Sequence, residues 1–184
     1  MSAIDAAVIG CSAGGLQALQ QILRPLPADL GIAIIVVSHV SPNRTSLLPY
    51  LLGRISNLPV SEAEEREPVL SGHVYLAPPN YHLLIEPDRT FALSVDERVC
   101  NVRPAVDVLF ASAAVAYRQR LAGIVLTGAN ADGAQGLKAI ASNGGFCIVE
   151  DPEAAASDAM PRSGTSRTFF CPESSRRGWS YLLI

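Results

Sequence analysis

The chain has 184 residues, 49% hydrophobic and 17% charged, and its 14 basic and 17 acidic residues leave a net charge of −3. That balance suits one ordered domain with a sizeable core and excludes a disordered chain. It also excludes a nucleic-acid footprint, for want of any dense basic run, and a membrane span, since the longest apolar run is only Ile32 to Val37.

Taken in order, Ala6-Ala7-Val8-Ile9 is a short apolar run ending at Gly10, as expected of a buried parallel strand. Gly14 to Leu23 then places Leu16, Leu19, Ile22 and Leu23 on one helical face, and Pro25 and Pro27 end that helix. Ile32 to Val37 is a second buried strand, running out into Ser38-His39. Strand, helix and strand in this order predict a parallel sheet with a right-handed crossover. Short strands follow at Val74 to Leu76, His82 to Ile85 and Phe91 to Val95, the last two joined by Glu86-Pro87-Asp88-Arg89-Thr90 as a hairpin. Ala105 to Tyr117 reads as a helix, Ile124 to Leu126 as a strand, Gly133 to Ser142 as a helix and Phe146 to Val149 as a strand. The expected class is α/β: a doubly wound, mostly parallel sheet with flanking helices and an antiparallel hairpin at one edge. Residues 1–162 form the expected catalytic domain, and 163–184, polar and without period, an irregular tail.

Three loops carry candidate chemistry. Gly10-Cys11-Ser12-Ala13-Gly14 fits G-x-S-x-G at a strand-to-helix turn, where a serine hydroxyl stands exposed beside unpaired helix N–H groups. The alternative is that Ser12 merely caps the helix. His39 follows the next parallel strand and so shares an edge of the sheet with Ser12. His73 lies in a turn and His82 opens a hairpin strand, so neither competes with it. Asp132 ends the small-residue loop Thr127-Gly128-Ala129-Asn130-Ala131 after a third strand, with N-cap as its alternative role. A hydroxyl needs a base to become a nucleophile, and the base needs a carboxylate to fix its tautomer. Ser12, His39 and Asp132 supply those three parts, with amides at Ala13, Gly128 and Ala129 as oxyanion donors. The cysteines Cys11, Cys100, Cys147 and Cys171 lack CxxC or CxxH spacing, so neither a zinc site nor a disulfide scaffold is expected.

These three loops, with Gly72 to Pro78, Arg103 to Phe110 and Met160-Pro161-Arg162, resemble the catalytic domain of bacterial chemotaxis protein-glutamate methylesterases, in order from about Ile4 to Arg162. The resemblance implies hydrolysis of γ-methyl glutamate esters on chemoreceptors, often with glutamine deamidation. It gives Ser12, His39 and Asp132 the roles of nucleophile, base and orienter. It also implies cytoplasmic receptor segments as partners, without nucleic acid or membrane insertion, and no cofactor or metal. Arg103 is a candidate for steering an acidic receptor segment, with a surface charge capping a loop as its alternative role. Ala13 stands where the family usually has Thr, and Ala129-Asn130 where it usually has Met-Gly. The family commonly carries an N-terminal receiver domain, whereas here the strand before Ser12 begins almost at Met1, so a standalone catalytic domain is expected.

Two other readings remain open in the sequence. A dinucleotide- or phosphate-binding module also uses a Gly-rich turn after its first strand, although Ser12 occupies the second glycine position of G-x-G-x-x-G and no acid ends the second strand. A catalytically idle binding module of the same fold is the other.

Overall fold

The computed structural model describes residues 4–39 and 47–165. Strand and helix alternate from the start, with β1 (Ala6–Cys11), α1 (Gly15–Leu23), β2 (Ala33–Ser38), α2 (Leu48–Gly53), β3 (Val60–Glu62) and β4 (Val74–Leu76). The hairpin strands β5 (His82–Ile85) and β6 (Phe91–Ser94) interrupt the pattern. It resumes with α3 (Val106–Tyr117), β7 (Leu121–Val125), α4 (Ala134–Ser142), β8 (Phe146–Val149) and α5 (Ala159–Thr165).

Six strands form one parallel sheet in the order β3-β4-β2-β1-β7-β8. β1 is central and wholly buried, which is why its sequence is continuously apolar rather than alternating. Its successive side chains divide between two layers. Ala6 and Val8 face a core shared with α3, α4 and the hairpin, through Leu109, Phe110, Leu137 and Leu83. Ala7, Ile9 and Cys11 face a second core with Leu19 and Leu23 of α1 and Leu52 of α2. Covering both faces with helices is what makes an all-parallel sheet stable.

The hairpin departs from its expected place. β5 and β6 pair with each other in a separate two-stranded sheet rather than extending the edge of the main one. Leu83, Ile85 and Phe91 turn their apolar side into the α3 layer, and a backbone link from Ile85 N–H to Ser112 Oγ (3.1 Å) ties β5 to that helix. The true edge is the three-residue β3, too short to announce itself in sequence. α5 runs to Thr165, so the first three residues of the expected irregular tail, Ser163, Gly164 and Thr165, are helical; the rest lie outside the described residues.

Topology positions the site. The chain winds from β1 outward through β2, then returns to lay β7 on the other side of β1. Between β1 and β7 the winding reverses, and the crevice at the carboxyl ends of such strands is where doubly wound sheets bind ligands. The loops after β1, β2 and β7 are the three that carry Ser12, His39 and Asp132.

Candidate active site

β1 and β2 are paired with Cys11 opposite Ser38, so Ser12 and His39 are the first residues past the ends of adjacent strands. Backbone bonds hold them there: His39 N–H donates to Cys11 O (3.1 Å), and Ser12 N–H donates across to Thr127 O (2.9 Å). The turn after Ser12 needs Gly14, which sits at φ 82° immediately before α1. In that left-handed region a side chain is strained, and a Cβ here would also meet Ala156 at 2.6 Å.

Asp132 is fully buried. Its Oδ2 lies 2.9 Å from His39 Nε2 and accepts Val106 N–H at 2.6 Å, while Oδ1 accepts Asp107 N–H at 2.9 Å. Val106 and Asp107 open α3, so the carboxylate sits on unpaired donors at the positive end of a twelve-residue helix. With both oxygens accepting amide protons, Asp132 meets His39 as an acceptor, and Nε2 carries the ring hydrogen. The lone pair of the ring is therefore on Nδ1.

A second carboxylate returns the favour. Asp107 Oδ1 accepts from Gly133 N–H (3.0 Å) and Gly136 N–H (2.6 Å), capping α4 at the end of the Asp132 loop. Asp132 thus caps the helix that bears Asp107, and Asp107 caps the helix that follows Asp132. Burial raises the Asp107 carboxyl above the usual range, against the lowering effect of the Gly136 amide. Gly10 sets the spacing of this arrangement, because a Cβ there would meet Val106 Cγ1 at 2.3 Å. Only a bare backbone lets the start of α3 come this close to β1.

This geometry can be set beside known proteins. The family model described as CheB methylesterase matches residues 7–171. The chain belongs to the CheB methylesterase family. A Leptospira interrogans relative is 49% identical over 164 residues, covering 89% of this chain and 85% of its own length. A protein-glutamate methylesterase/protein-glutamine glutaminase of Symbiobacterium thermophilum is 42% identical over 155 residues, and here the match spans 84% of this chain but 43% of that protein. The crystal structure of the Thermotoga maritima CheB methylesterase catalytic domain superposes with a TM-score of 0.87 at 34% identity, covering 92% of each chain.

In this CheB-family site the expected oxyanion donors separate. Gly128 N–H is already spent on Ser157 O (3.0 Å), so Gly128 is not free to hold an oxyanion. The Ala13 and Ala129 amides, both on exposed residues, have no acceptor among the described residues. Arg103 Nη1 donates to Val95 O (2.5 Å) and Asp96 O (2.8 Å), tying down the loop after β6 as its loop-capping alternative requires. His82 is buried, with Nδ1 accepting Ala105 N–H (3.2 Å) and Nε2 3.0 Å from Glu97 O, so it braces the approach to α3. His73 stacks on Tyr75 at 4.3 Å between ring centres.

Cys11 adjoins Ser12 but is no rival nucleophile, since burial pushes its thiol up to about 12. Ligand atoms of Cys100, Asp107 and Asp132 lie within 4.8 Å of one another and are the described residues that could gather round a metal ion. The amides and the His39 ring that already bond the two carboxylates give that cluster a structural use instead.

Sequence reasoning missed several contributors. Thr127 Oγ1 donates to Ala13 O (2.8 Å) and accepts Ser157 N–H (2.8 Å), stitching the serine turn to the loop after β8. Thr127 N–H in turn donates to Glu150 Oε2 (2.6 Å). Burial raises the Glu150 carboxyl. Asn130 reaches His39 Nδ1 from its own amide nitrogen at 3.3 Å. The signals for Thr127 and Asp107 were their positions, one after a strand and one in the first turn of a helix; for Asn130 the signal was its place where the family usually has Gly.

Proposed function

We propose that this domain hydrolyses γ-methyl glutamate esters on chemoreceptor segments, and the corresponding glutamine amides, with Ser12 as nucleophile, His39 as base and Asp132 as orienter. The observation that carries the assignment is the part-buried Asp132–His39 bond of 2.9 Å on the rim where Ser12 leaves β1. A histidine whose Nε2–H is held by a carboxylate presents a lone pair on Nδ1, and an activated serine needs such a base beside it.

His39 Nδ1 takes the Ser12 proton as Oγ bonds to the ester carbonyl carbon. The negative charge that develops on the carbonyl oxygen is met by the amides of Ala13, just before α1, and Ala129, in the loop after β7, neither of which has an acceptor among the described residues. The carbon–methoxy bond breaks, the imidazolium gives its proton to the methoxy oxygen, and methanol leaves an acyl-Ser12. Water then attacks the acyl carbon, losing a proton to His39, and Ser12 recovers that proton as the glutamate carboxyl departs. With a glutamine substrate the same steps release ammonia.

The Gly-rich turn gives no support to the dinucleotide reading: Ser12 stands where the pyrophosphate would need bare backbone. The test is methanol release from methyl-labelled receptor membranes. The parent is expected to release it and Ser12→Ala to lose release to background; equal release by both would remove Ser12 from the chemistry.

A further inference from the structure

We propose that Asn130 is a resting latch on the base: its side-chain amide occupies the very nitrogen of His39 that must take the Ser12 proton, and seating of the substrate displaces it. The proposal rests on His39 acting as the base. Asn130 is a positioning residue in this account, acting through His39.

The orientation of the amide follows from its other contact. Asn130 Oδ1 accepts Asp132 N–H at 3.1 Å, closing a turn of its own loop, which leaves Nδ2 directed at His39 Nδ1 at 3.3 Å. An amide nitrogen only donates, so Nδ1 is the acceptor, in agreement with the hydrogen on Nε2 that Asp132 demands. The imidazole is thus in its base-competent tautomer, but its single in-plane lone pair is already in use. Among the described residues, Asp132 and Asn130 are the two hydrogen-bond partners of the ring. Ser12 cannot transfer its proton until the amide withdraws.

The bond is built to yield. A separation of 3.3 Å lies beyond the usual N–H range, and Asn130 is only half-buried between the exposed Ala129 and Ala131. Asp132, by contrast, is held by α3 and does not depend on Asn130 for its carboxylate contacts. The latch can therefore open without disturbing the His39–Asp132 pair, and it restrains Ser12 against small acylating agents while the site is empty.

The readout is the rate at which a fluorophosphonate probe labels Ser12, followed by mass spectrometry on the intact protein, with thermal melting as the check on folding. Asn130→Ala is expected to label roughly two- to tenfold faster than the parent, the worth of one neutral hydrogen bond. Asn130→Asp keeps the oxygen that accepts Asp132 N–H but presents an acceptor to Nδ1, holding it protonated, and is expected to label more slowly. A residue that only closed the turn would give the reverse: slower labelling with Ala and near-parental labelling with Asp, which would overturn the latch. Should the Ala variant melt early, Asn130→Ser closes the turn through its hydroxyl yet falls short of Nδ1, and it must also label faster. A parent that is not labelled at Ser12 overturns the base assignment and the latch together; a labelled parent with no acceleration overturns the latch alone.

Discussion

Asp132 bonds His39 Nε2 through Oδ2 while both its oxygens take amide protons from α3, so its carboxylate is held by the helix. Buried charge is tolerated only with such partners, and hydrogen bonds from a helix N-terminus are among the best available. Asp132→Asn keeps the shape but can turn its NH₂ toward Nε2, which then accepts and leaves the hydrogen on Nδ1. The expected result is a fall in kcat of about ten-thousand-fold with KM nearly unchanged, measured in the methanol-release assay. A loss of tenfold or less would show that His39 needs no oriented tautomer. That Ser12, His39 and Asp132 share one rim of the sheet was legible in sequence, because each follows the carboxyl end of a strand. The competing roles of individual amides were not legible: nothing in Gly128-Ala129 announces that the first N–H goes to Ser157 and the second has no acceptor among the described residues. For Arg103 the sequence left two roles open, and its guanidinium holds two backbone carbonyls of the loop after β6.

At the scale of elements, the site depends on where α3 begins. Gly10 on β1 lets Val106 approach, His82 bonds the Ala105 amide just before the helix, and the first two helical amides hold Asp132. Gly10→Ala places a methyl group within 2.3 Å of Val106 Cγ1, so α3 has to move outward or its side chain leave its rotamer. The expected cost is about 1–3 kcal/mol in urea unfolding, with a fall in kcat at temperatures where the variant is fully folded. Destabilisation with full kcat would separate the start of α3 from catalysis. β1 and β2 were readable as unbroken apolar runs, and α1, α3 and α4 as helices; of β7 the expected run Ile124 to Leu126 caught only Ile124 and Val125, since the strand spans Leu121–Val125. The hairpin was readable as a hairpin but not as a separate sheet, because its apolar side serves equally against a strand or a helix. β3 and α2 are three and six residues long, below the length at which periodicity speaks.

For the molecule as a whole, the arrangement reduces to one reversal of winding. β2 and β7 lie on either side of β1, and Ser12, His39 and the Asp132 loop follow the carboxyl ends of the three strands. The order Ser, His, Asp along the chain is the order in which those loops are reached. Helix α5 closes the far side, with Met160 N–H on Gly128 O (2.9 Å). Sequence pattern established the layers and the shared edge; it left open which ring nitrogen is the base and what else touches it, since both are fixed by contacts ninety residues apart in the chain (93 for His39 with Asp132, 91 for His39 with Asn130). The most direct test of the central claim is a comparison of methanol-release rates for Ser12→Ala, His39→Ala and the double variant. Groups that act as one unit give single losses of roughly 10⁴- to 10⁶-fold and a double variant no slower than the worse single. Losses that multiply in the double variant, or a His39→Ala rate close to the parent's, would contradict it.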